Sequence, residues 1–95
     1  MEIVFDVGKE EKHYVVFTFN QLFGTVEIQV DGIQIMSETQ MFSHELIKTY
    51  MFDVGNKEIH SVRIDKERKL ILAGFRKHKY RVFVDEDLVE ERVGY

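Results

Sequence analysis

Apolar and polar residues alternate with a period of two along most of this chain, the spacing of half-buried β-strands rather than of helices. Ile3, Phe5 and Val7 alternate with Glu2, Val4 and Asp6 as far as Gly8, and Gly8-Lys9-Glu10-Glu11 has the composition of a turn. The run His13–Phe19 is rich in aromatic and β-branched residues; it sets Val15, Phe17 and Phe19 on one face and Tyr14, Val16 and Thr18 on the other. After Asn20-Gln21-Leu22-Phe23-Gly24, the segments Val26–Val30 and Ile33–Ile35 flank Asp31-Gly32. An Asp-Gly pair tolerates the two positive φ angles of a type I′ turn, so these segments are predicted to form a hairpin pairing Val30 with Ile33 and Ile28 with Ile35 on a buried face.

Ser37-Glu38-Thr39-Gln40 then reads as a polar loop or short helical turn. Residues 42–50 fit two patterns, since Phe42, Leu46 and Tyr50 have helical spacing while Tyr50, Phe52 and Val54 alternate as in a strand. The segment lacks a strong helix cap and lies among strands, which favours the strand. Thr49–Val54 leads to a turn at Gly55-Asn56 and to a strand with His60, Val62 and Ile64 on one face. Asp65-Lys66-Glu67-Arg68 reads as a charged turn, Leu70–Phe75 as a central apolar strand, Arg76–Lys79 as a basic turn and Tyr80–Val84 as a strand.

A repeat organises these elements. Residues 5–17 and 52–64 agree at seven of thirteen positions, both copies carrying Phe-Asp-Val-Gly and then a Glu-x-His, at an offset of 47 in a chain of 95 residues. Val30-Asp31-Gly32-Ile33 has a looser counterpart in Val84–Leu88. The expectation is a single all-β domain over residues 1–95, a sandwich of two antiparallel sheets with about eight strands, built by degenerate duplication of halves near 1–36 and 48–90.

The hairpin Val30-Asp31-Gly32, the Met41-Phe42 run, Tyr50-Met51-Phe52-Asp53-Val54-Gly55, Val62-Arg63-Ile64-Asp65 and Gly74-Phe75 leading to Tyr80 follow one another in an order that resembles the β-sandwich domain of the Fas apoptotic inhibitory molecule family. The likeness extends over most of the chain. It implies two packed antiparallel sheets and a protein that acts through other proteins, with no catalytic motif to carry over. The chain departs from that pattern in its charged segment 65–69 and its basic corner Arg76–Lys79. A shared fold would not by itself transmit a function.

Composition narrows the function classes. A hydrophobic fraction of 44% with 32% charged residues is that of a globular protein. No run reaches the roughly 20 apolar residues of a membrane helix, and the first residues lack the basic and apolar regions of a secretory signal, so the expected location is the cytoplasm without membrane attachment. With no cysteine, disulfides and thiolate metal sites are excluded. No phosphate loop, nucleophile elbow or cysteine nucleophile is present, and nothing in the sequence calls for a cofactor.

Three constellations remain. The repeated Glu11/His13 and Glu58/His60 place a carboxylate and an imidazole two residues apart, on one face of a strand. If the halves meet with pseudo-two-fold symmetry, the four residues form a candidate Zn²⁺ set for a metal-assisted hydrolase; otherwise each histidine closes the end of a core against a carboxylate or a turn carbonyl. Asp6 and Asp53 invite a two-carboxylate reading, against which stands the habit of aspartate to bond turn amides, here near Gly8 and Gly55. Residues 63–81 hold eight basic side chains against Asp65 and Glu67, a local +6, leaving −10 elsewhere in a chain of net charge −4. Within that segment Arg76, Lys77, His78, Lys79 and Arg81, beside Phe75 and Tyr80, form a candidate anion or single-strand surface. The acidic balance argues against nucleic acid, and the following Asp85, Glu86, Asp87, Glu90 and Glu91 can neutralise the patch. Residues 88–95 still carry apolar side chains, which fray, pack on the sandwich or pair with the edge of a second copy. The reading that fits best is a non-enzymatic interaction or binding module, with an unidentified protein or a second copy of the chain as partner.

Overall fold

The computed structural model describes residues 1–20, 22–39, 47–68 and 78–94. The chain is all-β. Eight strands, β1 (Glu2–Val7), β2 (His13–Asn20), β3 (Thr25–Val30), β4 (Ile33–Thr39), β5 (Ile47–Val54), β6 (His60–Arg68), β7 (His78–Val84) and β8 (Asp87–Gly94), form two four-stranded antiparallel sheets in simple sequence order, β1-β2-β3-β4 and β5-β6-β7-β8. No helix occurs among the described residues, and so none long and apolar enough to cross a membrane. Two compact units can be distinguished: one holds β1–β4 together with residues 54–59, the other residues 47–53 with β6–β8.

In the first unit the predicted alternation holds on β1–β3. Ile3 and Val7 of β1, Val15, Phe17 and Phe19 of β2, and Val26 and Ile28 of β3 are buried, while Tyr14, Asn20 and Glu2 are exposed. Register aligns the large side chains into rows: Ile3 lies opposite Phe17, and Phe17 opposite Ile28, all three fully buried. Burying each such side chain contributes about 1.5–3 kcal/mol relative to leaving it in water. The Asp31-Gly32 hairpin is present, with φ of 52° and 78° at its two central residues. Val30 pairs with Ile33 as expected, but Ile28 faces Met36 instead of Ile35, because the register shifts between Ile28 and Gln29. Ile35 is the extra residue of this β-bulge, and both Ile33 and Ile35 are exposed rather than buried. Residues 37–39, which read as loop, continue β4 as an edge strand.

The second unit repeats the plan. Tyr50 of β5, Val62, Ile64 and Lys66 of β6, and His78, Tyr80 and Val82 of β7 are buried, while Val54, also buried, ends β5 in the first unit. The low dielectric around Tyr80, followed by the neighbouring Tyr50, pushes the pKa of its hydroxyl well above the ordinary tyrosine value. Residues 65–68 are not a turn: β6 runs straight through them. Lys66 is only 7% exposed, which a long methylene stem permits, while Asp65 and Glu67 point to the other face, opposite Arg81 and Lys79. His78 and Lys79, read as part of a turn, likewise open β7, and His78 is 5% exposed. The segment after Val84 does not fray but turns at Asp85-Glu86, φ 50° and 72°, into β8. This hairpin also carries a bulge, between Val82 and Phe83, with Val89 as the extra residue. The apolar segment 70–75 and the start of the 42–50 segment lie outside the described residues; of the latter, residues 47–50 are strand, the preferred alternative.

Candidate functional site

The two copies of the Gly-x-x-Glu turn are built against each other, both within the first compact unit. Gly8 and Gly55 have φ of 106° and 112°, a region open in practice only to glycine. Each turn thereby directs two successive backbone N–H groups outward, and the glutamate of the other copy receives them. Asn56 and Lys57 donate to Glu11 Oε2 and Oε1 at 2.6 and 2.9 Å, and Lys9 and Glu10 donate to Glu58 Oε2 and Oε1 at 2.7 and 3.4 Å. A carboxylate spanning paired amides makes charge-assisted bonds, stronger than neutral ones. A Cβ added at Gly8 would run into the Glu11 carbonyl and lie 2.8 Å from Glu58 Oε2; at Gly55 it would meet the Glu58 carbonyl and lie 2.9 Å from Glu11 Oε2.

The histidines extend this clasp to the hairpins. His13 Nε2 lies 2.7 Å from Glu11 Oε2 and its Nδ1 2.6 Å from Asp31 Oδ2. Ionised carboxylates only accept, so this geometry favours the form of His13 in which both ring nitrogens donate. Its pKa is raised above the ordinary 6.5 by the Asp31 bond first and the Glu11 bond second. Glu11 is lowered to about 2 by His13, then by the Lys57 and Asn56 amides. Asp31 is lowered by the Tyr14 amide first and His13 second; its Oδ1 accepts from Tyr14 N at 2.8 Å while its own N–H donates to the Tyr14 carbonyl at 2.8 Å.

In the second unit His60 Nδ1 lies 2.5 Å from Asp85 Oδ2, Ser61 N–H donates to Asp85 Oδ1 at 2.9 Å, and Asp85 N–H donates to the Ser61 carbonyl at 2.8 Å. Asp85 is lowered by the His60 bond and then by the Ser61 amide. Each hairpin aspartate thus ties a histidine at the start of the adjacent repeat strand.

Comparison with family models, curated proteins and solved structures finds no match.

Sequence reasoning proposed Glu11, His13, Glu58 and His60 as a metal set. The structure brings Glu11 and Glu58 to each other's turns and occupies both nitrogens of His13 with carboxylates, whereas a metal needs a neutral ring with a free lone pair. Among the described residues no group of three or more potential ligands is placed to hold a metal ion. The turn amides assigned by sequence to Asp6 and Asp53 belong instead to Glu58 and Glu11, while Asp6 and Asp53 are exposed. Asp31 and Asp85 were missed as partners of the histidines. The signal was the recurrence of an aspartate at the same place in both hairpins.

Of the basic segment, Arg76 and Lys77 lie outside the described residues, and His78 is buried. Lys79 pairs with Glu91 at 3.3 Å, and Arg81 with Glu67 at 3.2 Å and Glu91 at 3.4 Å. Arg63 lies over the Phe83 ring, 4.1 Å from its centroid, and 3.6 Å from Asp65, which also accepts from Thr49 Oγ1 at 2.9 Å. Lys79 and Arg81 are thus matched by carboxylates across the strands, and Arg63 lies near Asp65 of its own strand.

The clasp predicts a definite pH dependence. His13, raised from 6.5, contributes stability fully below that value and loses it as pH climbs through the higher folded pKa. Glu11, lowered from 4.5, and Asp31 and Asp85, lowered from 3.8, contribute above those values and lose it as pH falls toward their folded pKa. All four terms coincide between pH 4.5 and 6.5, so the urea midpoint should be highest there and decline on both sides. His13→Gln should flatten the alkaline decline. A midpoint unchanged from about pH 5 to 8 would show that His13 gains nothing from its two carboxylates.

Proposed function

We propose that this chain is a non-enzymatic protein-interaction module that works through the edges of its sheets. The observation that carries this reading is the state of β4 and β8, two of the four outer strands. Both are the last strands of their sheets, and among the described residues neither has a further strand alongside it. Both expose large apolar side chains: Ile33 (69%) and Ile35 on β4, and Leu88 (53%), Val89 (54%) and Val93 (51%) on β8. An edge strand offers a row of backbone donors and acceptors, and flanking apolar side chains let an added strand bury surface as it pairs. The resemblance to the Fas apoptotic inhibitory molecule family points the same way, since that family acts through other proteins.

The alternatives draw less from the molecule. A metal-assisted hydrolase would need the carboxylates and imidazole that already hold the turns together. Of the described cations that anion or nucleic-acid binding would use, Lys79 and Arg81 are already paired with Glu67 and Glu91. The test is affinity capture with the wild type and with two edge variants, Ile33→Lys/Ile35→Lys and Val89→Lys/Val93→Lys, each verified as folded by circular dichroism. One variant should lose a partner that the wild type retains. An identical captured set for all three proteins would reject the edges as the working surface.

A further inference from the structure

We propose that β8 pairs antiparallel with β8 of a second copy of this chain, in a register centred on Glu91; this deepens the interaction reading above and rests on it. The outer edge of β8 carries the sequence Val89-Glu90-Glu91-Arg92-Val93, which is complementary to itself when reversed about its middle residue. A two-fold axis at Glu91 places Glu90 opposite Arg92 of the second copy and Arg92 opposite its Glu90, and it brings each Val93 to the level of Val89, where the β-bulge interrupts the regular alternation. Directly opposed residues of an antiparallel pair share a face with Cβ atoms about 5 Å apart, so these charges meet.

The existing contacts prepare the exchange. Glu90 and Arg92 lie opposite Val82 and Tyr80 on one face of the sheet and bond each other at 2.6 Å within the strand. Pairing extends that bond into two cross-chain pairs without requiring a new charge. Two Glu91 side chains would face each other at the axis, on the opposite face. Each is held by Lys79 and Arg81 of its own sheet, so the like charges arrive already compensated. The apolar part is as favourable, because Leu88, Val89 and Val93 are each more than half exposed in the single chain.

The β4 edge does not carry such a code. Within β4 the charged residue is Glu38, so two β4 strands have no opposite charges to match. A β4-to-β8 contact would join Glu38 to a strand with three carboxylates, Asp87, Glu90 and Glu91, against Arg92 alone. A β8-to-β8 contact closes at two copies.

Sedimentation equilibrium from about 1 μM to about 1 mM tests the pairing. The wild type should show a monomer–dimer equilibrium. Arg92→Glu sets carboxylates against Glu90 on both sides of the axis and should raise the dimer Kd about tenfold or more. The double variant Glu90→Arg/Arg92→Glu reverses both charges and should recover the dimer, a result that simple loss of folding cannot give. Val93→Lys, on the other face, should weaken it as well. A monomer at every concentration, a dimer indifferent to Arg92→Glu, or a charge-reversed variant that stays monomeric would overturn the pairing. A monomeric wild type that still loses a captured partner on Val89→Lys/Val93→Lys would overturn only this inference and leave the interaction reading standing.

Discussion

Gly8→Ala and Gly55→Ala should each lower the free energy of unfolding by about 3 kcal/mol, a large share of the roughly 5–15 kcal/mol that holds a domain of this kind together. Two effects act together. The φ angles of 106° and 112° are strained for any residue with a Cβ, and that Cβ would collide with the carbonyl of the glutamate closing the same turn. Relief by moving the backbone would turn the Lys9 and Glu10 amides away from Glu58, or those of Asn56 and Lys57 away from Glu11. Alanine at Lys9, an exposed position of the same turn, is the control and should be nearly neutral. Urea denaturation of the three variants measures the difference. A loss below about 1 kcal/mol at both glycines would mean that the turns relax without strain.

Phe17→Ala should be at least as damaging, by about 3–5 kcal/mol, and should leave the chain largely unfolded at physiological temperature if the starting stability is at the low end. Phe17 is fully buried, opposite Ile3 on one side and Ile28 on the other. Removing its ring leaves a void bounded by two strands whose spacing is fixed by their hydrogen bonds, so the site can collapse only in part. Ile28→Val, which removes a single methylene from the same row, should cost about 0.5–1.5 kcal/mol. Comparable losses for the two variants would show that the row is not packed as a unit.

Local chemistry explains what was legible in the sequence. The Asp31-Gly32 hairpin, the alternation on β1–β3, the strand from 47 and the two-sheet plan follow from signals a few residues long, and each occurs in the structure. Errors arose where cross-strand partners override composition. Residues 65–68 look like a turn because four charges follow one another; opposite them sits a strand with Lys79 and Arg81, which makes the outward Asp65 and Glu67 acceptable there. A β-bulge displaces Ile35 by a single residue, and alternation cannot report that shift in advance. Beyond Val84 the turn uses Glu86 at a φ of 72°, a residue without the glycine signature, so β8 went unrecognised as a strand. The clasp was half legible: the repeat marked Glu11, His13, Glu58 and His60 as a set, but which glutamate serves which turn depends on contacts 45 to 49 residues apart. No pattern within one copy encodes them.

The crosswise assignment of the two glutamates also restricts how the halves can diverge. Each turn takes its carboxylate from the other copy: Glu58 serves Lys9 and Glu10, and Glu11 serves Asn56 and Lys57. The exchange couples positions that are remote in sequence. Change at Glu11 bears on Gly55, Asn56 and Lys57, and change at Glu58 bears on Gly8, Lys9 and Glu10. Among descendants of such a duplication, these two groups should therefore be inherited or lost together, while Asp6 and Asp53, identical in the two copies but exposed, are free to drift.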